Sequence, residues 1–251
     1  MDTRRLLAII EYDGTDFKGF QVQRAKRTVQ GELERALHQI TGEQVRVIGA
    51  GRTDTGVHAS GQGAHFDTSW KQSNETLHRA LNAVLPNGIA VRAMRQVTPD
   101  FSARYDAKSR TYRYTIINRS MRAPLLERYA LWMPEPLDVS AMNAAARLLI
   151  GQRDFGAFGT PPRGDNSVRE VYRAHVERHD ERIIVEVEAN AFLYRMMRRI
   201  VGTLTGVGKG ALSIAEFQRV IEKQRRAGEA VPPHGLCLIK VNYDFTDRSE
   251  G

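Results

Sequence analysis

The chain has 251 residues, of which 41% are hydrophobic and 26% charged, a globular composition that is long enough to bury a core and excludes a disordered or fibrous protein. Its 37 Lys and Arg outnumber its 29 Asp and Glu, and the net charge of +8 favours a polyanionic partner, with nucleic acid as the leading candidate. A single Cys237 excludes an internal disulfide or a cysteine–zinc cluster, and since no apolar segment has the length of a bilayer span, we expect a soluble, cytoplasmic protein without membrane contact.

The first half of the chain alternates strand-like and helix-like apolar runs. Residues 6–12 read as a buried strand, and apolar positions then recur at helical spacing between Thr28, a candidate N-cap, and Gly42, a candidate C-cap. The sequence further predicts strands at 45–48, 62–67 and 89–97 and a helix at 73–85. The resulting order, β-α-β-β-α-β, is that of a ferredoxin-like domain, which RNA-recognition modules also use.

The second half repeats this order more loosely and without sequence identity to the first. It predicts strands at 110–118, 168–178, 182–189 and 236–243, and helices at 138–150, 193–207 and 213–225. We therefore expect an α+β fold with two ferredoxin-like, RRM-like halves, 1–105 and 106–251. Their sheets would join into one extended antiparallel sheet with a central cleft.

A glycine-rich stretch, residues 49–58, follows the predicted strand at 45–48 and stops it. Its glycines permit a sharp turn that would place Arg52, Thr53 and Asp54 at the tip of a loop. An acid beside a base on such a loop is a common arrangement for catalysis. The alternative is an ordinary turn, in which Asp54 bonds its own backbone and Arg52 is a solvated charge.

Two further patterns suit nucleic-acid contact. Tyr112 and Tyr114 share one face of the strand 110–118 and are candidates to stack on a base, although two tyrosines in a strand are more often part of sheet packing. Arg195, Arg198 and Arg199 share a face of the helix 193–207, where an arginine can bind a carboxylate or phosphate or simply be solvated.

Other candidate motifs fail. The run 206–210 resembles a phosphate-binding loop, but Thr203 stands where the first glycine belongs and Gly210 where Ser or Thr should hold magnesium. Four acid and histidine side chains between residues 54 and 67 match no metal-ligand spacing. The sequence therefore predicts neither a nucleoside triphosphatase nor a metal site.

The run Gly49-Ala-Gly-Arg-Thr-Asp-Thr-Gly-Val-His58 closely resembles the signature loop of the tRNA pseudouridine synthase A (TruA) family. The resemblance extends along nearly the whole chain in blocks that occur in the family's order. These are Glu11 to Thr15, Phe101 to Arg104, Tyr112 to Tyr114, Ala189 to Leu193, Met197 to Gly202 and Pro233 to Leu236.

The resemblance implies a pseudouridine synthase fold and an isomerase that converts uridine to pseudouridine at positions 38, 39 and 40 of the tRNA anticodon stem-loop. The glycosidic bond breaks, the uracil turns, and it reattaches through carbon. Family members use no metal or organic cofactor and act as homodimers. A non-catalytic RNA-binding or RNA-chaperone protein on the same fold is the alternative.

The resemblance also assigns roles to four residues. Asp54 matches the catalytic aspartate, which attacks the sugar or the base or assists loss of a sugar proton. Arg198 matches the basic residue that pairs with it, and such a neighbour favours the ionised carboxylate that a nucleophile requires. Arg52 matches an arginine that contacts the substrate backbone, and Tyr112 matches the tyrosine that stacks on the target uracil. Thr55, where the family usually has Ala, is the departure nearest the catalyst.

Overall fold

The structure is a computed structural model that describes residues 3–245. Ten strands and five α-helices are found in these residues, and their order confirms the α+β class. In chain order they are β1 (Arg4–Tyr12), α1 (Val29–Thr41), β2 (Ile48–Gly49), β3 (His58–Thr68), α2 (Asn74–Val84), β4 (Ile89–Val97), β5 (Ala107–Asn118), β6 (Leu131–Met133), α3 (Val139–Arg147), β7 (Gly151–Asp154), β8 (Val168–His179), β9 (Arg182–Ala189), α4 (Met196–Gly208), α5 (Ile214–Ile221) and β10 (Leu236–Tyr243).

The chain divides into two compact units. The first runs to Lys108 and takes in the chain again from Leu238, and the second is Ser109–Cys237. The boundary expected from the sequence, between residues 105 and 106, stays a prediction.

The first unit contains a sheet in the order β4-β1-β3-β10, with β2 paired to β3. Both neighbours of β1 run antiparallel to it. Leu6, Ala8 and Ile10 alternate on one face and are buried together with the apolar stripes of α1 and α2. On the other face, Leu7 packs against Phe101. The sheet is therefore covered on both sides along β1.

The second unit contains a sheet in the order β5-β9-β8-β7, and β6 lies parallel to β5. Helix α3 packs on β8 and contacts α4 and α5. Alternate residues of β9, namely Ile183, Val185 and Val187, are fully buried, and those between them are only partly buried. This period of two identifies one apolar face of the sheet as the core of the unit.

The predicted strand at 45–48 is wrong except at its last residue, because these residues pack against a helix. Val45 and Val47 are buried, and the backbone N–H of Val47 donates to Glu34 Oε1 of α1 over 3.0 Å. A side chain thus satisfies the amide that sheet pairing would otherwise have used.

The predicted helix at 193–207 begins three residues late. The backbone N–H of Tyr194 donates to Thr160 O over 2.9 Å, and Arg195 has a left-handed φ of 62°. Both features keep residues 193–195 out of the helix, so Arg195 does not share a helix face with Arg198. The predicted helix at 213–225 likewise ends early, at Ile221, before Lys223, whose φ is 60°.

Candidate active site

The segment that carries Arg52 and Asp54 connects two paired strands. Ile48 and Gly49 of β2 lie opposite His65 and Ala64 of β3, so the ends of the connection are fixed by sheet pairing. The backbone N–H of Val57 donates to Asp54 O over 3.1 Å, and Gly56 takes the left-handed conformation with φ of 77°. The loop expected from the glycines is therefore present, and Gly56 makes its turn.

Burial alternates along this loop. Thr53 is 6% exposed, whereas Asp54 is partly exposed and Arg52 is exposed. Tyr12 Oη lies 2.7 Å from Thr53 Oγ1, and the backbone N–H of Phe20 donates to Thr53 O over 3.1 Å. The buried Thr53 thus fixes the middle of the loop and leaves the acid and the base beside it on the accessible side.

Two positions of the first unit lie so close to this loop that only glycine fits there. A Cβ on Gly14 would lie 2.0 Å from Val57 O, and a Cβ on Gly19, whose φ is 88°, would lie 2.7 Å from Thr53 O. The N–H of Gly14 also donates to His58 Nδ1 over 3.0 Å. The turn after β1 therefore packs directly against the loop, and a larger residue at Gly14 or Gly19 would clash with it.

The two tyrosines of β5 differ in what they can do. Tyr114 is fully buried and donates from Oη to Pro232 O over 2.8 Å, and burial raises the pKa of its hydroxyl well above its usual range, although the Arg198 charge acts in the opposite direction. It belongs to the core and cannot stack on a base. Tyr112 is 8% exposed, and its ring centroid lies 4.7 Å from that of Phe192 in an edge-to-face contact.

Arg198 lies in the first turn of α4, where the partial positive charge of the helix end disfavours a cation. Its Nε donates to Val231 O over 2.6 Å, and its own carbonyl accepts from Val231 N–H over 3.2 Å. The segment that precedes Val231 also lies against α4 one turn further along, because a Cβ on Gly202 would be 1.9 Å from Glu229 O. The Arg198 side chain is therefore held in one direction as far as its Nε.

The predicted site residues thus form two pairs. Arg52 and Asp54 share the loop of the first unit, and Tyr112 and Arg198 belong to the second unit. Sequence reasoning assigned no role to Tyr12 or Gln62, whose side chains bond to the loop from β1 and β3. Tyr12 lies in one of the family-like blocks, but nothing in the chain signals that Gln62 reaches Gly51.

The described part of the chain, residues 3–245, contains no group of three or more His, Cys, Asp or Glu side chains placed to hold a metal ion. His65 and His58 each use Nδ1 to accept a backbone N–H, from Ala103 and Gly14 respectively. Within the same residues, none of the helices combines the length and apolar character that crossing a bilayer requires.

Comparison with known proteins gives matches over almost the full chain. A family model described as tRNA pseudouridine synthase matches residues 8–106 and 145–244. The chain is 43% identical to the tRNA pseudouridine synthase A of Caldicellulosiruptor bescii over 243 residues, which cover 96% of this chain and 100% of that protein. It is 44% identical to the protein of the same name from Roseiflexus castenholzii over 245 residues, which cover 96% and 91%.

Proposed function

The chain belongs to the tRNA pseudouridine synthase family, and from this premise we propose that Asp54 is the catalytic group with which it isomerises uridine in the tRNA anticodon stem-loop. The family identifies an isomerase that acts on tRNA uridine. The alternative of a non-catalytic RNA-binding protein is not favoured. The proposal adds the target, positions 38, 39 and 40, and the residues that act on it.

The observation that carries the proposal is the position of Asp54 on its loop. Asp54 is partly exposed, while the neighbouring Thr53 is buried and bonded through both its side chain and its carbonyl. A nucleophile at a sugar carbon must be ionised, accessible and held in a fixed direction. A carboxylate is a competent nucleophile and leaving group there, as glycoside hydrolysis illustrates.

Arg52 and Arg198 are proposed to bind the substrate. Arg52 is exposed two residues from Asp54, where a guanidinium can bind a phosphate of the flipped nucleotide with two parallel hydrogen bonds. Arg198 occupies a helix N-terminus, a place where backbone N–H groups already favour an anion. A cation at this end of the helix is unfavourable for stability, and its side chain is held by the bond from Nε to Val231 O. Both features support a role for Arg198 in binding negative charge.

Tyr112 is proposed to stack on the target uracil and to receive its proton. The edge contact with Phe192 fixes the ring plane, which a stacking partner requires. Because the side chain is 8% exposed, only a small part of it meets solvent before substrate binds. Tyr112→Phe should keep stacking and lose the hydroxyl, so tRNA affinity is expected to change less than the rate of isomerisation.

A homodimer in the cytoplasm, acting without metal or organic cofactor, completes the proposal. The support for the location is the substrate, since tRNA is found there, and the support for the dimer is the family resemblance. Sedimentation equilibrium of the full chain is expected to give twice the mass of 28.3 kDa. A monomer at concentrations where the enzyme is active would remove the dimer from the proposal.

Site selection is tested with tRNA transcripts that carry uridine at one of positions 38, 39 and 40 at a time. We expect pseudouridine at each position, mapped by carbodiimide modification and primer extension, with full-length RNA throughout. A transcript that has uridine only outside the anticodon stem-loop is the control and should stay unmodified. Modification of the control alone would contradict the proposed target while leaving the isomerase class intact.

A further inference from the structure

We infer that Tyr12, Thr53 and Gln62 are positioning residues for the isomerisation. These three side chains, called the loop anchor below, fix the two peptide planes that flank Arg52 and Asp54. The inference rests on the proposed role of Asp54. It concerns residues that touch the loop rather than the substrate.

The first part of the loop anchor acts on the peptide between Thr53 and Asp54. The carbonyl oxygen of that peptide accepts the N–H of Phe20 over 3.1 Å, and the side chain of Thr53 is bonded to Tyr12 Oη over 2.7 Å. Both Tyr12 and Thr53 are buried. Because a peptide unit is planar, fixing its oxygen and the preceding side chain fixes the bond that leads to the Asp54 Cα. The N–H of Val57 donates to Asp54 O over 3.1 Å and restrains the peptide that follows, so the direction of the Asp54 side chain is limited from both sides.

The second part acts on the peptide between Gly51 and Arg52. Gln62, which is 0% exposed, donates from Nε2 to Gly51 O over 2.9 Å. This bond fixes the plane whose N–H belongs to Arg52. The neighbouring Ala50 is held as well, since its N–H donates to Gly63 O over 2.7 Å.

Gln62 is an unfavourable choice for stability alone. Its Oε1 is buried and has no hydrogen-bond partner among residues 3–245, and an unsatisfied buried carbonyl oxygen destabilises a fold. On the strand it lies opposite Ile10, where Met or Leu would avoid this loss. The bond that Gln62 makes to the loop of Asp54 accounts for a polar side chain at this buried place.

The consequence is a loop whose backbone is already formed before tRNA binds. Catalysis depends on holding reacting groups in place, and small displacements cost large factors in rate. With a loosened loop, the net charge of +8 would still attract the phosphates of tRNA, but Asp54 would spend less time in the reactive direction. The rate of the chemical step should therefore fall while affinity is kept.

The test compares Tyr12→Phe, Thr53→Val, the double variant and Thr53→Ser. With enzyme in excess over tRNA labelled with tritium at uracil C5, the single-turnover rate is expected to fall about tenfold in each of the first two, the factor that corresponds to one buried hydrogen bond. The dissociation constant for tRNA should stay within about twofold. Thr53→Ser keeps the hydroxyl and should restore the rate.

The double variant separates positioning by the shared bond from two unrelated effects. If the bond between Tyr12 and Thr53 is responsible, the double variant is expected to lose about tenfold, like each single variant, rather than about a hundredfold. Gln62→Met should also turn over more slowly, without a lower urea midpoint of unfolding. Thr68→Val is the matched control, because Thr68 is a buried threonine bonded to Glu43 at the far end of β3, and its rate should match wild type.

Asp54→Asn is measured in the same series to distinguish the inference from the function on which it rests. If Asp54→Asn is inactive and the loop-anchor variants keep the wild-type rate, the positioning role is overturned and the function stands. If the losses of the two single variants multiply in the double variant, the shared bond is not the cause and the inference also fails. If Asp54→Asn turns over normally, the proposed function itself is wrong.

Discussion

Replacing Gly202 by Ala sets helix propensity against packing at a residue in the middle of α4. In an exposed helix, Ala is more favourable than Gly by about 0.5–1 kcal/mol. In this helix the new Cβ would lie 1.9 Å from the carbonyl oxygen of Glu229, far inside van der Waals contact. We expect the clash to outweigh the propensity, so that Gly202→Ala is destabilised.

The size of the effect follows from what must move. To accept the Cβ, the chain around Glu229 has to shift by more than about 1 Å, a kind of overpacking that costs about 1–3 kcal/mol. The shift also strains the bond from Gly228 N–H to Thr203 Oγ1 and the bond from Arg198 Nε to Val231 O, each worth about 1 kcal/mol. After the gain in propensity is subtracted, the unfolding free energy should fall by about 2–4 kcal/mol.

Urea denaturation followed by circular dichroism measures the change, with Gly206→Ala as the matched control. Gly206 lies on the same helix, but the nearest atom to its added Cβ, on Leu212, is 3.8 Å away. This variant should therefore be about 0.5–1 kcal/mol more stable than wild type. If Gly202→Ala is as stable as wild type or gains as much as the control, the packing described for α4 is wrong.

Three further variants test charge in the molecule. Arg52→Ala should weaken tRNA binding and reduce the slope of log K against log salt by about one. The control Arg35→Ala removes a cation paired with Glu32 and should change neither the affinity nor the slope. An unchanged slope for Arg52→Ala speaks against a phosphate contact. Burial lowers the pKa of His65, whose Nδ1 accepts Ala103 N–H, so the stability that neutral His65 contributes is full above about pH 6.5 and falls below it by up to about 1.4 kcal/mol per pH unit. His65→Asn keeps an acceptor and should show a shallower fall in the urea midpoint between pH 7 and 5. A fall equal to that of wild type would exclude His65 as its source. The bond with Lys223, with help from Ser167 and Gly156 N–H, lowers the pKa of Asp154 to about 2. Because both partners are about half exposed, Asp154→Asn should lower the free energy of unfolding by only about 0.5–1 kcal/mol at pH 7. This difference from wild type should persist above about pH 4 and close toward pH 2, and an equal difference at pH 7 and pH 3 would contradict the assignment.

Features set by neighbours in the sequence were predictable. Thr28 caps α1 by accepting Gly31 N–H, and Gly42 ends the helix with a left-handed φ of 75°, as the residue types indicate. Ser213 and Glu216 form a capping box at the start of α5, with hydrogen bonds in both directions, an arrangement that Ser followed three residues later by Glu favours. The strand expected at 89–97 is β4, because its β-branched residues and the turn before it are local signals.

Features set by distant partners were not predictable. Val45 and Val47 have strand composition, yet Glu34 of α1 takes the Val47 amide, and no local pattern shows that a helix is nearby. The isolated bridge between Thr160 and Tyr194 delays α4 across a separation in sequence that periodicity cannot detect. Tertiary contacts therefore override local preference at these two places.

The candidate site divides in the same way. The loop position of Arg52 and Asp54 follows from the glycines around them, and both residues lie in the connection between β2 and β3, which turns at Gly56. Their roles come from the resemblance, since an acid and a base on a turn have several uses. The support from Tyr12 and Gln62 depends on sheet register, which a single sequence does not reveal.

Tritium release from uracil C5 tests the central claim most directly, because the C5–H bond breaks only if the base is reattached through carbon. Wild type, Asp54→Asn and the control Asp138→Asn are compared on unmodified tRNA in buffer with a chelator. Asp138 caps α3, and Asn caps as well. We expect release by wild type and by Asp138→Asn and none by Asp54→Asn, with tRNA binding retained in all three. Normal release by Asp54→Asn would contradict the assignment of Asp54 as the catalyst.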